Sequence, residues 1–70
     1  MTELEHRTLV HRYRYYVLNA PTLSDYEYDL LERAALKTVG EGSPLLKPGS
    51  DRHEDYPARV VEDATKNSYA

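Results

Sequence analysis

The sequence predicts an all-α fold: a small helical hairpin, a third loop or short-helix segment packed on it, and a partly disordered C-terminal tail. Three observations predict it. Two capping boxes stand where helices should open, apolar residues follow each at helical spacing, and a proline turn lies between them. Seventy residues make one domain at most, near the lower limit for a chain that folds on its own core. Residues 1–50 are expected to form the hairpin domain and 51–70 a polar tail.

Thr2 and Glu5 have the spacing at which a hydroxyl and a carboxylate satisfy each other's backbone N–H groups, so a first helix is expected from Glu3 to Leu18. At about 100° per residue, Leu9, Val10, Tyr13, Tyr16 and Val17 share a core stripe, and His11, Arg14 and Tyr15 project the other way. The run Asn19-Ala20-Pro21 stops this helix, because proline disfavours helical geometry before it and lacks an N–H.

Ser24 and Glu27 form the second capping box, Asp25 suits the positive end of the helix dipole, and Leu23 and Tyr28 have hydrophobic-staple spacing. The second helix is expected to reach Thr38, with Gly40 as a left-handed cap. Leu30, Leu31 and Ala34 form its expected core stripe. Asp25, Tyr28, Asp29 and Glu32, spaced i, i+3, i+4, i+7, form one surface facing away from the core.

From Gly40 onward the composition turns to Gly, Ser and Pro, which reads as loop, with Leu45 and Leu46 folding back over the hairpin. Residues 51–70 are polar apart from Tyr56, Val60 and Val61, so they are expected to be disordered or to form one short helix after Pro57.

Composition excludes several functions. A net charge of -3 opposes phosphate-backbone binding, so direct DNA binding is not expected. The absence of cysteine removes disulfides and thiolate metal sites, and a cytoplasmic location is the default expectation. No apolar run approaches the roughly 18 residues of a membrane span, so neither a signal peptide nor a membrane anchor is expected. His6 and His11 are five residues apart, off one helical face, and no metal site is expected. The glycines frame no phosphate loop.

Tyrosine crowds the interhelical turn: Tyr13, Tyr15 and Tyr16 on one side, Tyr26 and Tyr28 on the other. Tyr13 sits at core spacing and reads as packing. Tyr15 points off the stripe, near the Asp25, Tyr28 and Asp29 surface. Aromatic faces flanked by carboxylates suit a flat cation bearing hydroxyls. A solvated acidic face is the plainer alternative. His11 is within reach of a phosphate in principle, though a lone histidine on a polar face is more often solvated.

The run from Tyr13 to Leu31, with Tyr15-Tyr16, Asn19-Ala20-Pro21 and Asp25-Tyr26-Glu27-Tyr28-Asp29, resembles the small N-terminal domain of NAD-dependent DNA ligases. That family shows an aromatic pair, an Asp-x-Pro turn and Asp-x-Glu-Tyr-Asp at the same spacing. The segment from Ser43 to Ser50 resembles its Pro-Glu-Leu-x-x-Pro-Asp-Ser stretch. The resemblance implies a domain that grips the nicotinamide mononucleotide half of NAD, serving DNA replication and repair. It implies Tyr15, Tyr16, Asp25, Tyr28 and Asp29 as cofactor-binding residues. Tyr15 and Tyr28 would pack on the ring, and Asp25 and Asp29 would take amide or ribose groups.

Asn19 replaces the turn's usual aspartate. The ligases' Lys-x-Asp-Gly nucleophile motif is absent, so no catalytic residue is expected here. The implied partners are NAD or nicotinamide mononucleotide and a ligase nucleotidyltransferase domain. The initiating methionine, the capping box behind it and the unfamiliar tail point to a stand-alone product, as in a compact phage or mobile-element genome. The alternative function is an interaction protein that docks on a host ligase or another nucleotide-using enzyme and modulates it.

Overall fold

A computed structural model describes residues 2–20, 22–46 and 49–66. Its helices are α1 (Glu3–Tyr16), α2 (Asp25–Leu36) and α3 (Ala58–Ala64), with short 3-10 turns at Pro44–Leu46 and His53–Asp55. No strand occurs among the described residues. α1 is the central element and packs against α2, α3 and the first 3-10 turn.

Both capping boxes form. The Glu5 N–H donates to the Thr2 hydroxyl at 3.1 Å and the Thr2 N–H to the Glu5 carboxylate at 3.3 Å. Ser24 and Glu27 repeat this at 3.2 Å in each direction. α1 ends two residues earlier than Leu18. Asn19 there adopts φ 51°, a left-handed conformation that asparagine tolerates better than most residues. The Ala20 N–H then donates to the Arg14 carbonyl at 2.8 Å, closing the turn. Pro21, assigned a helix-stopping role above, lies outside the described residues.

α2 stops at Leu36, short of Thr38, and Gly40 is not its left-handed cap. The Thr38 N–H and hydroxyl both donate to the Ala35 carbonyl, at 2.9 and 2.8 Å, which ends the helix locally. The glycine with positive φ is Gly42, at 86°, in the turn that follows.

The core gathers Leu9, Val10 and Tyr13 from α1, Ala35 from α2, Leu45 from the first 3-10 turn, and Tyr56, Val60 and Ala64 from the C-terminal segment. Of the expected α1 stripe, Val17 packs at the edge and Tyr16 is 46% exposed. His11 and Arg14, expected outside, are buried, because Thr22 and the end of α3 cover that side. Tyr15 is exposed as expected.

α2 is rotated from the expected phase. Ala35 is fully buried and Tyr28, Leu31 and Glu32 half-buried, while Leu30 and Ala34 are exposed. Glu32 is drawn inward by its ion pair with Arg12 of α1, and that turns Leu30 to solvent. Leu45 folds back and is buried; Leu46 stays exposed.

The short helix after Pro57 forms as α3. Val60 and Ala64, at i and i+4, pack on α1, and the Tyr56 ring meets Tyr13 edge-to-face at 5.1 Å and 87°. Residues 67–70 of the expected tail lie outside the described residues. No described helix is long and apolar enough to cross a membrane.

Candidate functional site

The C-terminal end of α1 leaves Tyr15 and Tyr16 exposed, and the opening turns of α2 face them there. The result is a cleft of about 230 Å³. Tyr15, Tyr16, Asp25, Tyr28 and Asp29, the five residues singled out in the sequence, all line it. His11, Thr22, Leu23 and Glu32 complete the wall.

Tyr15 and Tyr16 are successive residues on an exposed helix end, so their rings splay and meet edge-to-face, centroids 5.0 Å apart at 72°. Asp25 holds the first position of α2, where helix geometry favours a carboxylate. Asp29 accepts from Arg33 one turn along at 3.1 Å, an exposed pair that leaves the carboxylate in contact with solvent.

Tyr28 is the most constrained member. Arg12 Nε donates to its phenol oxygen at 3.0 Å, and the phenol donates to Glu32 at 2.9 Å. Burial pushes the Tyr28 phenol up to about 12, with the Arg12 bond opposing and the Glu32 bond reinforcing the shift, so it is neutral at physiological pH. Arg12 is itself buried and also donates to Glu32 at 2.9 Å and to the Leu45 carbonyl at 3.4 Å. The surface expected to face away from the core is thus half turned inward, and Tyr28 offers its ring while its hydroxyl is held from behind.

His11 is not solvated. It is buried, with Nδ1 3.2 Å from the Thr22 hydroxyl, and burial, then Arg14 and Arg7, lower its pKa. A neutral imidazole fits a wall of the cleft better than a phosphate ligand. Asp25 and Asp29 are the cleft's solvent-facing carboxylates, Asp29 sharing its charge with the exposed Arg33, whereas Glu32 is paired inward with Arg12. Flat rings beside two carboxylates make a seat for a planar cation with hydroxyl groups. No group of His, Cys, Asp and Glu suited to a metal ion occurs among the described residues.

Sequence reading missed Thr22 and Leu23 in the wall of this site, and Arg12 behind it as the residue that holds Tyr28 and Glu32. The available signal was positional: Arg12 lies one turn before Tyr16, on the side that α2 must meet. A second depression of about 460 Å³ shares Tyr16, Tyr28 and Glu32 with the cleft and adds Arg12, Leu45, Leu46 and Gly49.

The family model for the DNA ligase-like, N-terminal NAD+-binding domain matches residues 1–48. Among curated proteins, the DNA ligase of Thermoanaerobacter sp. (strain X514) is 44% identical over 48 residues, which are 69% of this chain and 7% of that ligase. The DNA ligase of Porphyromonas gingivalis is 42% identical over 53 residues, 66% of this chain and 8% of the ligase. That of Oleidesulfovibrio alaskensis is 42% identical over 52 residues, 71% and 7%. The chain thus spans under a tenth of the length of these relatives. No solved structure matches it significantly. By the match over residues 1–48, the chain belongs to the family of DNA ligase-like, N-terminal NAD+-binding domains.

Proposed function

We propose that this chain binds the nicotinamide mononucleotide half of NAD in the cleft between α1 and α2, as the ligand-gripping part of a ligase-type reaction. The observation that carries this reading is the convergence of Tyr15, Tyr16, Asp25, Tyr28 and Asp29 on one wall system. Tyr15 and Tyr28 would lie against the pyridinium ring, and Asp25 and Asp29 would accept from the carboxamide or the ribose hydroxyls.

The size agrees. At about 230 Å³ the cleft falls below the roughly 300–1,000 Å³ of pockets that enclose a whole small molecule, and it suits a ring with part of its sugar. When bound, NAD supplies an activated adenylate. The residues of this chain bind and orient its nicotinamide end, and the lysine motif for adenylate transfer is not among them. Such a nucleophile would come from a nucleotidyltransferase partner, in DNA replication or repair.

Isotope-labelled protein titrated with nicotinamide mononucleotide and with NAD tests the reading. Amide signals of residues 11–16 and 24–32 are expected to shift, and Tyr15→Ala and Asp29→Ala to abolish the shifts while the helical signal persists. Silence at millimolar ligand, with the fold intact, overturns it. A second reading is favoured by the exposed Tyr26 and Leu30, which the cleft does not use. In it the chain is a phage-encoded interaction protein docking on a host ligase, and a silent titration would leave that reading standing.

A further inference from the structure

The Tyr16 ring lies against a residue distant in sequence, Gly49. A Cβ added to Gly49 would meet the Tyr16 ring with Cζ at 2.6 Å, Cδ2 at 2.7 Å and Cε2 nearer still. Packed side chains do not approach so closely, so a side chain at position 49 and the present ring position are incompatible. The other glycines differ: a Cβ at Gly40 or Gly42 meets nothing within 4 Å.

Gly42 is a glycine of positive φ; what distinguishes Gly49 is the closeness of the Tyr16 ring to its Cα. Gly49 therefore acts through the space it leaves. Tyr16 lines both the cleft and the second depression, whereas Gly49 lines only the second. The ring is a partition between the two, resting on the bare Cα of Gly49.

We infer that Gly49 is a positioning residue of the cleft: by presenting no side chain, it lets the Tyr16 ring lie back and sets the shape of the cleft's aromatic wall. For ligand binding this rests on the function proposed above. A methyl group at 49 drives the ring off the loop, and the edge contact with Tyr15 goes with it. Tyr16 is 46% exposed, so the ring has solvent to move into and the fold is expected to survive.

The test compares Gly49→Ala with Gly40→Ala as control. Tyrosine is labelled with carbon-13 on the ring, and the Tyr16 signal is assigned by its loss in Tyr16→Phe. Gly49→Ala is expected to move the Tyr16 ring signal and to weaken nicotinamide mononucleotide binding roughly 2- to 10-fold, the scale of one aromatic contact. Gly40→Ala is expected to do neither. In a Tyr16→Ala background, Gly49→Ala is expected to have no further effect on affinity.

An unmoved Tyr16 signal in Gly49→Ala overturns the inference. So does an equal loss of affinity in the Tyr16→Ala background, since that would show Gly49 acting without Tyr16. If Gly49→Ala lowers the melting temperature, recovery in the Tyr16→Ala background supports the inference, and an undiminished loss there overturns it. Absence of binding by the unsubstituted protein overturns the reading of the cleft instead, and the ring signal still decides the position of Tyr16.

Discussion

α1 and α2 are nearly equal in length, 14 and 12 residues, and both open with a capping box, yet they bury very different surfaces. α1 buries Glu5, Thr8, His11, Arg12 and Arg14 beside its apolar residues, while α2 buries Ala35 among the described residues. Position causes the difference. α1 is enclosed by α2, α3 and the first 3-10 turn, so its polar side chains become cross-links. Arg12 ties to Tyr28, Glu32 and Leu45, Arg14 to Ala64, Lys66 and Thr22, Glu5 to Ser43, and His6 to Asp63. α2 lies at the rim and presents its side chains to the cleft or to solvent. A central helix thus uses its polar groups to hold the fold, and the candidate site residues collect on the exposed helix ends.

Paired leucines test this contrast at its largest. Leu9→Ala in α1 is expected to cost about 2–5 kcal/mol, since it empties a site that is 1% exposed. That is a large share of the roughly 4–10 kcal/mol expected for a chain this size. Leu30→Ala in α2 is expected to stay within about 0.5 kcal/mol. Urea denaturation measures both, and equal losses would break the comparison.

Paired arginines sharpen it. Arg14→Met keeps the apolar stem but leaves the Ala64 and Lys66 carbonyls without their donor, at an expected cost of about 1–3 kcal/mol. Arg33→Met breaks an exposed i, i+4 pair with Asp29 and is expected to cost at most about 0.5 kcal/mol. Thermal melting of the two variants side by side gives the ranking. A costlier Arg33 change would place the structural role on the wrong helix.

What was legible in the sequence was local. Capping boxes link residues three apart, so both helix starts and the reversal near Asn19 could be read directly, and both starts formed at the expected residues. The site residues lie within short motifs flanking one turn, and the structure gathers them in one cleft. What escaped was set across the chain. The rotation of α2 depends on Arg12 meeting Glu32, 20 residues away. The burial of His11 and Arg14 depends on Thr22 and on the end of α3, and the seat of Tyr16 depends on Gly49. Residues chosen as polar by their own chemistry were assigned to the surface, although their partners make them interior.

The smallest expected effects are shifts in how stability varies with pH, and they separate the two helices again. In α1, burial lowers the His11 pKa from 6.5, with Arg14 and Arg7 adding to it. The unfolded chain then binds the proton first, so this contribution is lost as pH falls below about 6.5. His11→Asn is expected to flatten melting temperature against pH on that side. In α2, burial raises the Tyr28 phenol to about 12 from an ordinary 10.0. Here the unfolded chain releases its proton first, so stability is full below about pH 10 and falls as pH rises from there towards 12. Tyr28→Phe is expected to reduce that alkaline slope without abolishing it, because burial raises the Tyr56 phenol in the same direction. Melting curves taken from about pH 5 to about pH 11, which span the ordinary histidine and tyrosine pKa values, provide the check. An alkaline slope unchanged in Tyr28→Phe would mean that the phenol titrates as freely as an exposed one, and Tyr28 would then belong to the surface side of α2. A reduced slope places Tyr28 between the two helices in character, with its hydroxyl committed to Arg12 and Glu32 and its ring left to the cleft.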